Sequence, residues 1–92
     1  MKIQGDDFIL TSVTPYSYSF DVELLQIVNK GKKNERSEFK NVAYGVHLQH
    51  ALKMIVMYRL NKKQDVYDLK EFMKMFEKEL NELRELCHEK DN

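Results

Sequence analysis

Residues 65–90 read DVYDLKEFMKMFEKELNELRELCHEK, and this run decides how the rest of the chain is arranged. Val66, Leu69, Met73, Phe76, Leu80, Leu83 and Cys87 recur at alternating spacings of three and four, which is a heptad seam. No Gly or Pro interrupts it. Asp65 is a good N-cap, and Asp68 puts a second acid in the first turn, where the helix dipole favours it. The spacing predicts one long amphipathic helix over 65–90, a rod of roughly 38 Å.

Working back from that helix, Asn61-Lys62-Lys63-Gln64 separates it from a first helix predicted over 47–60. There Leu48, Ala51, Leu52, Ile55 and Arg59 share a face. Met54 to Tyr58 is apolar without a polar break, which predicts cover on more than one side. Residues 39–46 read as a strand with Val42, Tyr44 and Val46 on one face, and Gly45 marks a bend or a close backbone approach. Residues 16–28 carry the clearest strand signal. Tyr16, Tyr18, Phe20, Val22 and Leu24 alternate with Ser17, Ser19, Asp21 and Glu23, a period of two. The phase slips at Leu24-Leu25, which predicts a bulge or sharp twist at that point. Residues 7–13 form a further strand, broken by Thr14-Pro15. Residues 29–38 are polar, contain Gly31 and read as a long hairpin loop.

The order is βββαα. The expected fold is α+β: a three-stranded antiparallel meander followed by two helices that cover its apolar face, all in a single domain over 1–92. A 65–90 rod outruns a small sheet, since short strands run only about 20 Å. Met73, Phe76, Leu80, Leu83, Leu86 and Cys87 therefore need another cover. The same helix of a second copy supplies it most simply, as a symmetric homodimer.

Composition bounds the function. Apolar residues are 42% of the 92 and charged residues 33%, the balance of an ordinary globular chain. There is no apolar run long enough for a membrane span, and the N-terminus lacks the apolar stretch of a signal peptide. A lone Cys87 excludes an internal disulfide framework and fits a reducing cytosol. The net charge of zero hides an asymmetry. Residues 1–63 hold ten Lys/Arg against six Asp/Glu, and residues 64–92 hold five against nine. Opposite signs are placed to meet within one chain or between copies.

No stretch carries a catalytic motif. Asp21 and Glu23 fit a solvated sheet face, and no glycine-rich phosphate loop follows a strand. His47, His50, His88 and Cys87 lack the converging spacing of a zinc site, and Cys87 falls on the apolar seam. No cofactor and no metal are expected. The candidate anion contacts are Tyr58, Arg59, Lys62, Lys63 and Tyr67 around the inter-helix turn, with Lys32, Lys33 and Arg36 in the hairpin loop. Aromatic rings beside cations stack a base and hold a phosphate.

Tyr44-Gly45-Val46-His47-Leu48-Gln49-His50-Ala51-Leu52, the basic end Arg59-Leu60-Asn61-Lys62-Lys63 and the opening Asp65-Val66-Tyr67-Asp68-Leu69-Lys70-Glu71-Phe72 together resemble a group of small accessory proteins of phages and prophages of Gram-positive bacteria. The resemblance covers about residues 38–88. It implies a hairpin or meander followed by two helices, acting in the cytoplasm of a bacterial host, and it carries over no catalytic residue. The expected function is a non-enzymatic inhibitor of a bacterial defence system. It would bind a host protein or sequester a small signalling nucleotide. The alternatives are a nucleic-acid-binding factor of phage replication or recombination, and a structural assembly subunit.

Overall fold

A computed structural model describes the backbone of residues 1–90 and the side chains of residues 1–85. The chain is α+β. An antiparallel sheet of four strands precedes two helices. The strands are β1 (Lys2–Gln4), β2 (Phe8–Ser12), β3 (Ser19–Val28) and β4 (Arg36–His47), in spatial order β1-β2-β3-β4. The helices are α1 (Leu48–Lys63) and α2 (Leu69–Lys90). The chain divides into two compact units, Met1–Leu48 and Gln49–Asn92.

In the first unit, Ile3, Phe8, Leu10, Phe20, Val22 and Leu24 are buried. The register explains why they act together. Ile3 pairs with Leu10, Leu10 with Val22 and Phe8 with Leu24. Paired residues of an antiparallel ladder lie on the same face, so alternation on each strand builds one apolar surface. The fourth strand, β1, corrects the expected three. It is three residues long with one apolar side chain, too short to show a period. Ser12 N–H donates to the Met1 carbonyl at 2.9 Å and holds it in place.

β3 begins at Ser19 rather than at 16. Pro15 is pre-set for the second position of a turn, and the Ser17 N–H closes on the Thr14 carbonyl at 3.3 Å. Tyr16 and Tyr18 thus leave the strand and the core: they are 94% and 74% exposed. The predicted irregularity at Leu24-Leu25 is absent, for those residues pair regularly with Lys40 and Phe39. The irregularities lie on β4, between the pairs of Phe20, Val22 and Glu23. Ten residues of β3 face twelve of β4, an excess of two. One bulge carries Gly45 at φ +61°, in the left-handed region. The hairpin loop is shorter than 29–38, because β4 already starts at Arg36. Asn29 and Gly31 turn it with positive φ, and the Lys32 N–H donates to the Asn29 carbonyl at 3.0 Å.

In the second unit, α1 buries Ala51, Leu52, Ile55, Val56 and Leu60, one stripe of the helix. Met57 is 41% exposed, so the Met54–Tyr58 run is not covered all round. His47 ends β4 and does not open the helix. α1 runs on to Lys63, where two lysines suit the negative end of the dipole. α2 starts at Leu69, not at 65. Residues 64–68 form a connector instead. Gln64 Nε2 donates to the Val66 carbonyl at 2.9 Å, and the Phe72 N–H reaches the Asp68 carbonyl at 2.9 Å. Asp68 therefore takes the capping position expected of Asp65.

Candidate functional site

The eight predicted anion contacts divide between the two units. Tyr58, Arg59, Lys62, Lys63 and Tyr67 come together in the second. Helix spacing explains the first four: residues three and four apart share a face. Their chemistry is largely occupied. Lys63 Nζ lies 2.8 Å from Glu79 Oε1, and Arg59 Nη1 lies 3.6 Å from Glu79 Oε2. Lys62 Nζ sits 4.8 Å above the Tyr58 ring. The Tyr67 hydroxyl donates to the Leu60 carbonyl at 2.6 Å, and its ring meets Phe72 edge-on at 5.7 Å. Phe72 in turn lies 5.8 Å from Phe76. The hydrogen bond from Lys63 holds the Glu79 carboxyl below its usual range, and the same bond raises the Lys63 amine. Opposite signs thus meet within the chain. Glu79 is the member that sequence reasoning missed. One Glu in a Glu/Lys-rich helix carries no mark, and its partner lies 16 residues back.

Lys32, Lys33 and Arg36 belong to the first unit. Lys32 and Lys33 are exposed at the hairpin tip, together with Lys30. Arg36 is paired with Glu38, Nε to Oε2 at 3.2 Å. The Gly31 N–H donates to Glu35 Oε1 at 3.4 Å, so Glu35 in the loop and Glu38 on β4 both lie among the cations.

The predicted heptad seam, whose residues from Met73 onward are expected to meet a second copy, splits. Val66, Leu69 and Met73 are 82%, 74% and 54% exposed. Phe76 is half-buried. Leu80 and Leu83 are already buried in the single chain, at 3% and 2%, and so offer nothing to a second copy. The side chains of Leu86 and Cys87, like that of His88, lie outside the described residues.

A different surface stands out at the end of the sheet where Ser19 pairs with His47. Tyr18 projects there, its ring 6.4 Å from the His47 ring, and its carbonyl accepts the Leu48 N–H at 2.9 Å. Ser17 Oγ accepts the Ser19 N–H at 2.8 Å, and the Val13 N–H reaches the Ser19 carbonyl at 3.1 Å. The Tyr16 turn is thereby anchored to the ladder. Tyr44, 74% exposed, lies on the bulged part of β4 beside Gly45. The Gly45 N–H donates to Asp21 Oδ1 at 3.0 Å. Asp21 thus fixes the bulge. Sequence reasoning placed Tyr16 and Tyr18 on the core face. Pro15 was the signal against that placement.

Among the described residues, no group of three or more His, Cys, Asp and Glu is placed to hold a metal ion. No helix in this range is long and apolar enough to cross a membrane. Comparison with protein-family models, with curated proteins and with solved structures found no match.

Proposed function

We propose that this chain is a non-enzymatic binding protein that occludes a surface of a protein partner, with the tyrosine-bearing end of the sheet as its contact. The exposure of Tyr16, Tyr18 and Tyr44 on an anchored turn and strand carries this reading. Tyrosine offers a large, rigid, amphipathic contact at low entropic cost, and it is enriched among the residues that dominate binding energy. The nucleotide-sequestering variant has less support. At the inter-helix turn Glu79 already holds Arg59 and Lys63, so an incoming phosphate would have to displace a carboxylate. The resemblance supplies the setting, a small phage accessory protein in a bacterial cytoplasm, and inhibition of a bacterial defence system is the role proposed for it there.

The test is a comparison on bacterial lysate between the tagged chain and its Tyr16→Ala/Tyr18→Ala/Tyr44→Ala variant. The wild type should retain a host protein in stoichiometric ratio, and the variant should lose it. A Lys32→Glu/Lys33→Glu variant should keep it. A host protein held equally by the triple tyrosine variant overturns the reading.

Nucleic-acid binding is the second reading. It rests on the exposed Lys30, Lys32 and Lys33 at the hairpin tip. It predicts binding that falls steeply with salt and is lost in the Lys32→Glu/Lys33→Glu variant.

A further inference from the structure

The two edges of the sheet are unlike. β1 ends it with three residues, a short edge of the kind that discourages pairing. β4 ends it with twelve, and among the described residues no strand pairs with its outer side. Bulges interrupt β4 between Asn41 and Val46. The run Arg36–Asn41 is left regular, in unbroken register with Glu23–Val28 of β3. Beyond the last β2–β3 pair, Phe8 with Leu24, and the bond from the Leu25 N–H to the Asp7 carbonyl at 2.9 Å, residues 26–28 and 36–38 form a ladder only two strands wide. A ladder of that width is marginal on its own in water.

We propose that Ser37–Asn41 pairs antiparallel with the same residues of a second copy, with Phe39 on the two-fold axis. Opposed residues must share a face, so each residue meets one of like parity. Centred on Phe39, the register sets Glu38 against Lys40 of the partner subunit, twice by symmetry. It sets Ser37 against Asn41 of the partner subunit and ring against ring at the axis. Centred on Glu38, it would set Glu38 against itself and Arg36 against Lys40, all like charges. Centred on Lys40, lysine would face lysine. Centred on Ser37, only three residues would pair. Opposite charges directly across a ladder stabilise it and like charges destabilise it, so the Phe39 register is selected. The backbone agrees. Groups that β4 directs outward alternate with those given to β3, and this register matches them with their equivalents. The exposed state of Ser37, Lys40 and Asn41 leaves the edge open to the second copy. Pairing sets the two-stranded ladder against the part of the partner subunit's sheet in which β2 also pairs with β3. This contact is independent of the tyrosine surface.

The experiment is sedimentation with native mass spectrometry on the full chain, with circular dichroism to check folding. The wild type should reach twice the 11.0 kDa chain mass as concentration rises. Lys40→Glu alone and Glu38→Lys alone should each raise the dimer Kd by about tenfold or more, and the double exchange should restore it. A Phe39→Cys variant on a Cys87→Ser background should oxidise to a linked dimer. Residues opposed in an antiparallel ladder have Cα atoms about 4.5–5.5 Å apart, within disulfide reach. A single-chain mass at every concentration overturns the proposal. So does a dimer indifferent to the exchanges, a failure to cross-link, or a dimer lost instead in Leu69→Glu/Met73→Glu. None of these outcomes touches the lysate test of the tyrosine surface.

Discussion

Lys63 on α1 and Glu79 on α2 meet at 2.8 Å, and the carboxylate that receives this lysine also receives Arg59. One acid from the negative half of the chain thus pairs with two of the three cations at the basic end of the first helix. Removing it should have two effects that are easy to separate. Glu79→Gln should lower stability by about 0.5–1 kcal/mol at low salt, the scale of a partly exposed pair, and less at high salt. It should also free Arg59 and Lys63 to bind phosphate. Glu77→Gln, at an exposed position, should do neither. Denaturant unfolding and phosphate titration check the two effects.

The same pair sets a pH window. The Glu79 carboxyl lies below its ordinary 4.5, so its contribution is complete above 4.5 and fades as pH falls through the lowered value. The Lys63 amine lies above its ordinary 10.5, so its contribution is complete below 10.5 and fades as pH rises through the raised value. The stability difference between wild type and Glu79→Gln should therefore be flat between these limits and shrink outside them. Unfolding curves across pH measure it.

Leu80 and Leu83 should behave as core residues of the single chain. Leu80→Ala and Leu83→Ala should each cost about 2–5 kcal/mol. Leu69→Ala, at a position 74% exposed, should stay within about 0.5 kcal/mol. Equal effects at all three positions in a chemical melt would contradict the split of the seam.

Two glycines should fail for different reasons. A Cβ at Gly5 would run into the buried ring of Phe8, so Gly5→Ala should destabilise through displaced core packing. A Cβ at Gly45 meets open space, but φ is +61°. Gly45→Ala should cost about 1 kcal/mol through backbone strain alone, and Gly45→Asn should recover part of it. Thermal melts of the three variants distinguish clash from strain.

Tyr16→Ala, Tyr18→Ala and Tyr44→Ala should each change stability by less than about 0.5 kcal/mol, since all three rings are largely solvated. A large loss at any of them would mean that the ring serves the fold rather than a partner.

The α+β class and the order of sheet before helices were legible in the sequence, because period two and period 3.6 are strong where they run long. The failures share a cause. Periodicity names the stripe on which apolar residues lie, but not what covers it. Leu80 and Leu69 occupy one heptad stripe, and one is buried while the other is exposed. Period two also ran through Tyr16 and Tyr18, although Pro15 had already turned the backbone. β1 went unseen because Ile3 alone cannot alternate with anything. At the inter-helix turn the sequence groups Tyr58, Arg59, Lys62, Lys63 and Tyr67 but not the counter-ion that Arg59 and Lys63 share. Glu79 is paired by tertiary contact, and that contact leaves no trace in local spacing.

The bulges of β4 bear on how the chain tolerates changes in length. Ordinarily a single deletion in a strand inverts every side chain beyond it. Here the residue between Ala43, paired with Val22, and Asn41, paired with Glu23, is surplus. Deleting Val42 would straighten the ladder and leave every other side chain on its own face. A deletion at Val22, which has no surplus neighbour, would turn the core outward. The Tyr44-Gly45 pair opposite Asp21 holds the second surplus residue, so gaps in an alignment of variant chains should gather at these two places on one strand, beside the loops where length usually varies.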